Sequence, residues 1–230
     1  MMIAYHCCFD LTYFGWADWP MLVDARWIAW RSAIVASFLF VVGISLALRD
    51  RRGTAADAGR FDRSFIRRWL QIVLAAMLVT AGSVWLFPRS FIYFGVLHFV
   101  AVAILLCRRA PRLGGWAVVA GCAALAIGLL WSDAAFDPRV ANWIGFAAEK
   151  PLTEDYVPLF PWVGVVLIGC GAGARWTGAR SRLAPAMRAA DGVSARPMRA
   201  LAATGRWSLA IYLVHQPVML GVMGLIAQMR

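Results

Sequence analysis

Charged residues are scarce in this sequence. They make up 15% of the 230 residues, whereas 62% are hydrophobic, and Lys150 is the single lysine. A soluble domain of this length is usually about half apolar and about a quarter charged, so too little polar surface is present here to cover a soluble globule. The composition excludes an ordinary soluble domain and is typical of a protein that places its apolar surface in a bilayer.

Motifs for metal binding and for secretion are also lacking. The five cysteines lie in apolar stretches, none forms a CxxC pair, and no Cys/His cluster has zinc spacing. We therefore predict buried thiols and no metal site. The first apolar stretch has no basic segment before it and no small-residue cleavage site after it. It is therefore predicted to be part of a first membrane helix, cut short at its start, and not a signal peptide.

Long apolar runs occupy most of the chain. A spanning helix needs ~20 mostly apolar residues. We predict seven spans at about 1–16, 27–48, 69–87, 91–107, 114–131, 157–174 and 207–229, of which the first is shorter than a full span. The predicted fold class is all-α, a polytopic integral membrane bundle of about seven transmembrane helices that forms a single domain over residues 1–230.

The arginines follow an alternating pattern between these runs. The loops 49–68, 108–112 and 175–206 contain seventeen basic residues, and the alternate connections contain four. The positive-inside rule places the first set, and the N-terminus, in the cytoplasm. The net charge of +11 therefore indicates topology and contact with anionic membrane lipids, and we predict no nucleic-acid partner. Abundant alanine and arginine with one lysine indicate a GC-rich bacterium, so we place the chain in a bacterial inner (plasma) membrane.

All three histidines, His6, His98 and His215, fall inside predicted spans. Counted from the predicted helix ends, they lie about 15, 10 and 12 Å deep, because an α-helix rises 1.5 Å per residue. Each could simply form one hydrogen bond between helices. Three imidazoles at similar depth, with no other buried base, favour a catalytic site in which a neutral ring acts as general base or nucleophile.

Two further polar groups accompany these histidines. Asp10 follows His6 by four residues, so both lie on one helix face, and its carboxylate could orient the imidazole or could be solvated near the outer surface. Pro217 is predicted to interrupt the last helix and to free a carbonyl, while Gln216 adds a donor and an acceptor at membrane depth. The outer loop 132–156 contains five acids, which either are solvated or attract an amino-bearing substrate.

Five segments resemble, in the same order, a bacterial group of membrane proteins of unknown function that is related to the catalytic domain of heparan-α-glucosaminide N-acetyltransferase. They are YHCCFDLTYFG, FLFVVGISLALRDRR, FGVLHFVAVAILL, DYVPLFPWVGVVLIG and GRWSLAIYLVHQP. The resemblance implies transmembrane acylation. Acetyl-CoA would be the donor on the cytoplasmic side, with no permanently bound cofactor. The substrate would be an amine or hydroxyl of an envelope sugar or glycan.

The resemblance also implies roles for particular residues. His98 and His215 would line the pore, and His6 and Asp10 would occupy the polar stretch of the first helix. The lysosomal relative has a catalytic histidine in the loop after the first helix, and this chain has none there, so His6 would have to take that role.

The cytoplasmic arginines are candidates for binding the phosphates of acetyl-CoA, since arginine binds phosphate in a bidentate manner. The alternative is that they only set topology and contact anionic lipid. The candidate donor-binding residues are Arg49, Arg51, Arg52, Arg108, Arg109, Arg206 and Gln216.

Three functions are consistent with these patterns. The first is an acyl-CoA-dependent N- or O-acetyltransferase, with lipids, acyl-CoA, a glycan or sugar, and a second copy of the chain as candidate partners. The second is a transporter or flippase for a small polar or lipid-linked solute, which the absence of an inverted repeat disfavours. The third is a structural subunit whose histidines only join helices.

Overall fold

The computed structural model describes residues 1–50, 62–188, 205 and 207–229, and within these ranges it contains helices and no strand. The α-helices are α1 (Met2–Tyr13), α2 (Ala25–Asp50), α3 (Arg63–Leu86), α4 (Val96–Cys107), α5 (Gly115–Leu130), α6 (Arg139–Asn142), α7 (Leu159–Arg188) and α8 (Ser208–Gln228). Short 3₁₀ helices at Ala110–Leu113 and Ala134–Phe136 precede α5 and α6. The predicted all-α fold class is confirmed.

Four of these helices are long and apolar enough to cross a membrane, namely α2, α3, the Leu159–Gly178 part of α7, and α8. The helices α4 and α5 are apolar but shorter than a span, and α1 has 12 residues. The chain is therefore a helical membrane protein, which agrees with its composition. The count of seven crossings and the inside position of the N-terminus stay predictions.

Two helix bounds differ clearly from the predicted ones. α4 begins at Val96 and not near residue 91, because Gly95 and the Asp155 carboxylate cap its start. α7 continues to Arg188, well past the predicted end near residue 174. α8 runs through Pro217, so the helix continues past this proline, whose missing N–H still leaves a carbonyl of the preceding turn without its usual helical partner. One missing backbone hydrogen bond is tolerated within an otherwise intact helix.

The chain divides into two compact units, Met1–Val35 with Pro185–Arg230, and Ala36–Ala184. We call them the terminal unit and the middle unit. In the terminal unit, α1 packs against α8. In the middle unit, α3 packs against α4, and the indole Nε1 of Trp69 donates a hydrogen bond of 2.9 Å to the Ala101 carbonyl.

Small residues allow the helices of the middle unit to approach closely. A Cβ added at Gly121 of α5 would lie 2.6 Å from the Gly164 carbonyl oxygen of α7, and one added at Gly164 would lie 2.5 Å from the Gly121 oxygen. A side chain at either position would clash with the facing helix, so the two backbones pack directly against each other only because both residues are glycine. This is the packing typical of membrane helices, which gain little from the hydrophobic effect and depend on close contact.

Candidate functional site

His215 has one ring nitrogen fixed by the backbone of its own helix. Its Nδ1 lies 2.7 Å from the Tyr212 carbonyl oxygen. A carbonyl only accepts hydrogen bonds, so Nδ1 carries the proton and Nε2 of the neutral ring is left with a lone pair. This Nε2 is buried and has no hydrogen-bond partner among the residues that the structure describes. His215 therefore presents a base whose tautomer is already set.

Asp10 of α1 lies in the same unit and is fully buried, with 0% of its surface exposed. Its Oδ1 accepts a hydrogen bond of 2.9 Å from Nε2 of Gln216, the residue after His215. Its Oδ2 and the Gln216 Oε1 are buried and lack a partner within the described part of the chain. Burying such atoms without a hydrogen bond costs roughly 1–3 kcal/mol each, so the fold retains them at a real cost.

His6 completes this group, which we call the His215 site (His6, Asp10, His215 and Gln216). The ring centroids of His6 and His215 are 5.0 Å apart, at an interplanar angle of 61°. Tyr5, which is buried, contacts the His6 ring edge-on at 6.0 Å. The structure therefore brings two of the three predicted histidines together with Asp10.

The unpartnered atoms of the His215 site share one property, since each can only accept a hydrogen bond. They are the Asp10 carboxylate oxygen Oδ2, the Gln216 amide oxygen and the His215 lone pair. The group that complements them carries several N–H or O–H donors, and a positive charge is favoured because Asp10 is a carboxylate. This combination can bind an amine and can remove a proton from it.

His98, in the middle unit, has a different environment. The Thr80 hydroxyl donates a hydrogen bond of 2.7 Å to the Ile92 carbonyl. Its oxygen must therefore accept the hydrogen bond from His98 Nε2, which is 3.1 Å away. The His98 Nδ1 in turn accepts from the Gly95 backbone N–H at 3.3 Å. Both ring nitrogens are therefore engaged, and His98 has no lone pair available as a base.

The helix start used to estimate the depth of His98 was wrong. The estimate of about 10 Å assumed a helix from Phe91 onward and a helical rise for each residue. Because α4 starts at Val96, His98 lies in the first turn of that helix. Thr80 was missed by the sequence analysis, although a hydroxyl inside an apolar span is a signal of a buried hydrogen bond.

The candidate arginines of the middle unit differ in their exposure. Arg49 forms an ion pair with Asp62, with N–O distances of 2.8 and 2.9 Å, and lies over the Phe65 ring. Arg108 is half-buried and Arg109 is exposed, and they follow α4 directly. Arg51, Arg52 and Arg206 lie outside the described residues.

Acids of the loop 132–156 have roles in the fold. Asp155 accepts from the Val96 N–H at 2.8 Å, Asp133 accepts from the Ala135 N–H at 2.8 Å, and Asp137 accepts from two further backbone N–H groups. These carboxylates cap turns and helix starts. They are therefore poor candidates for attracting a cationic substrate, which the sequence had left open.

Metal ligation has no support in the described part of the chain, where no three His, Cys, Asp or Glu side chains are grouped so that they could hold a metal ion.

The comparisons with known proteins agree with the resemblance of the five sequence segments. No curated protein and no solved structure matches the chain. A family model does match, over residues 1–217, and its description is heparan-alpha-glucosaminide N-acetyltransferase, catalytic. The match includes all four members of the His215 site and His98. With most of its length matched, this membrane protein belongs to the heparan-alpha-glucosaminide N-acetyltransferase catalytic family.

Proposed function

We propose that this chain is a membrane acetyltransferase that moves an acetyl group from acetyl-CoA to an amine of an envelope sugar or glycan, with His215 as the general base. Family membership supports the acetyltransferase-like activity. The observation that carries the residue assignment is the buried lone pair of His215 Nε2, unpartnered within the described chain and oriented by the Tyr212 carbonyl. The choice of an amine over a hydroxyl rests on the unpartnered hydrogen-bond acceptors and on the Asp10 carboxylate.

The reaction needs few steps. The amine enters as an ammonium ion and is held by the Asp10 carboxylate. One N–H proton passes to His215 Nε2, and the freed amine attacks the thioester carbon, so that a C–N bond forms and the C–S bond breaks. The leaving thiolate takes the proton from His215, and the second N–H proton is released from the new amide. His6, whose ring is 5.0 Å from that of His215, is the neighbouring base to which we assign this second proton.

Among the predicted donor-binding arginines, the exposed Arg109 is the one we propose as a ligand of the acetyl-CoA phosphates, and Arg108 stays a candidate from the sequence alone. Arg49 is already paired with Asp62, and binding a phosphate there would break that ion pair. For Arg52 and Arg206 the proposal rests on the sequence alone. These assignments need no permanently bound cofactor, since acetyl-CoA is consumed as a substrate.

We also propose seven membrane crossings with the N-terminus inside, in the inner membrane of a bacterium. The support is the distribution of seventeen basic residues in one set of loops and four in the other. Each crossing shorter than a full span would require local thinning of the bilayer or burial among the other helices.

The test uses the full chain purified in detergent. Acetyl-CoA binding is measured by calorimetry, and transfer of radiolabelled acetyl is measured to glucosamine and, as a hydroxyl-only control, to glucose. We expect binding and transfer to glucosamine. A well-folded sample that neither binds acetyl-CoA nor acetylates any amine would refute the proposal.

A transporter of small ammonium compounds is the second candidate, because the same buried hydrogen-bond acceptors would bind a cation in transit. Glucosamine uptake into proteoliposomes without consumption of acetyl-CoA would favour this function over the transferase.

A further inference from the structure

Gln216 occupies an unusual position in the His215 site. Its Nε2 donates to Asp10 Oδ1 at 2.9 Å, which joins α8 to α1. Because a carboxylate accepts, the amide nitrogen must face Asp10, and this determines where the amide oxygen is. That oxygen, Oε1, is buried and has no partner among the described residues. One end of the side chain is thus committed to the protein and the other end is available.

A purely structural glutamine would not need this arrangement. A buried amide oxygen without a hydrogen bond is costly, and a methionine or leucine would fill the same space without that cost. The unpartnered atoms beside it, on Asp10 and His215, are hydrogen-bond acceptors as well. The three atoms are therefore best explained together, as the lining of one subsite for a donor group.

We propose that Gln216 is a substrate-binding residue of the amine subsite, which orients Asp10 through Nε2 and accepts a hydrogen bond from the amine through Oε1. This inference rests on the proposed function, and it moves Gln216 from the donor-binding set, where the sequence analysis placed it, to the amine side of the reaction. A protonated primary amine has three N–H donors, one for each of Asp10 Oδ2, Gln216 Oε1 and His215 Nε2.

The first test replaces Gln216 with methionine, which has a similar length and no strong hydrogen-bonding group. We expect the KM for glucosamine to rise about tenfold to a hundredfold, as for a lost hydrogen bond to a charged group. The KM for acetyl-CoA should stay within about twofold. The matched control is Gln228→Met, since Gln228 is an exposed glutamine near the end of the same helix, and it should leave both constants unchanged.

The second test replaces Gln216 with glutamate, which keeps the shape and an accepting oxygen but loses the N–H donor. The introduced carboxyl group can still donate to Asp10 when it is protonated, whereas its ionised form repels the Asp10 carboxylate. Activity of Gln216→Glu, expressed at each pH as a fraction of the activity of the unchanged protein, should therefore be highest at low pH and fall as pH rises. If Gln216 had only a structural role, the activity of the variant relative to that of the unchanged protein would not depend on pH in this way.

The outcomes separate the two proposals. If the unchanged protein acetylates no amine, the proposed function fails. If it is active and Gln216→Met raises only the KM for acetyl-CoA, or leaves both constants unchanged, then the assignment of Gln216 alone is overturned. Should Gln216→Met fail to fold, the pH profile of Gln216→Glu decides, and a profile parallel to that of the unchanged protein would overturn the assignment.

Discussion

His215 in the terminal unit and His98 in the middle unit carry their protons on opposite ring nitrogens. The first has its proton on Nδ1, donated to the Tyr212 carbonyl, and leaves Nε2 buried without a partner in the described chain. The second has its proton on Nε2, directed at Thr80, and its Nδ1 accepts from Gly95. Comparing the two rings shows that burial alone does not identify a catalytic histidine. The unused lone pair is the observation that makes His215, and not His98, the candidate base.

The largest expected effect concerns this lone pair. His215→Ala should lower kcat for acetyl transfer by about 10²- to 10⁴-fold, the usual contribution of a general base. The substitution also removes the Nδ1 hydrogen bond to the Tyr212 carbonyl, so kcat is compared for the folded protein, with an expected loss of unfolding free energy of about 0.5–1.5 kcal/mol for that hydrogen bond. Added imidazole should restore part of the activity. An unchanged kcat would remove the distinction between the two histidines.

Asp10 gives the next largest effect. Asp10→Asn removes the charge that holds the ammonium ion but keeps the shape, so the KM for the amine should rise about tenfold to a hundredfold. The control is Asp18→Asn, a change to an acid in the segment after α1 that lies outside the His215 site, and it should have no effect on steady-state kinetics. If both variants raised the KM for the amine equally, amine binding would depend on the overall charge of the protein and not on Asp10 in particular.

Both ring nitrogens of His98 are already hydrogen-bonded. Replacing its partner Thr80 should therefore lower the stability of the protein and leave catalysis unchanged. Thr80→Val leaves the His98 Nε2–H and the Ile92 carbonyl without the partner that Thr80 provides. We expect a loss of about 1–3 kcal/mol of unfolding free energy, with kcat of the remaining folded protein unchanged. Thr80→Ser keeps the hydroxyl and should behave like the unchanged protein. A fall in kcat without a fall in stability would instead place His98 in the reaction.

The smallest effect is in the outer loop of the middle unit. Burial, together with the charges of Tyr93 and Asp137, raises the pKa of Tyr156 from 10.0 to about 12, and its hydroxyl donates to the Asn142 carbonyl at 2.7 Å. The protonated form is the one that stabilises the fold. Its contribution is therefore complete below about pH 10 and is lost as pH rises toward about 12.

Tyr156→Phe should cost about 0.5–1.5 kcal/mol at neutral pH, as for one hydrogen bond. The melting temperature of the variant should also fall less steeply between about pH 10 and pH 12, the range set by the raised pKa of Tyr156. Circular dichroism at each pH measures this fall. If the melting temperature of Tyr156→Phe fell as steeply as that of the unchanged protein in that range, another group would be titrating there.

Much of the fold followed from apolar run length. The runs at 27–48, 69–87, 157–174 and 207–229 correspond to α2, α3, α7 and α8, because a hydrocarbon core requires that backbone groups pair within a helix. The bounds near caps and kinks were less predictable. The start of α4 depends on Asp155, which is 59 positions away from Val96 in the sequence, and no local pattern could reveal that contact.

The sequence predicted the residue types of the candidate site, and it predicted only some of the contacts between them. Asp10 was grouped with His6 by helical spacing, and His215 was identified as an ionisable group in a span. The hydrogen bond between Gln216 and Asp10 joins residues 206 positions apart, so its existence depended on which faces of α1 and α8 meet.

The sequence by itself determined that this chain is a helical membrane protein, because composition and run length depend only on the residues present. It also determined which residues could act as bases. Only the tertiary structure decided that His215 keeps a lone pair without a partner in the described chain and that His98 does not. The state of an imidazole is set by the donors and acceptors around its two nitrogens, and most of those groups come from distant parts of the chain or from the backbone.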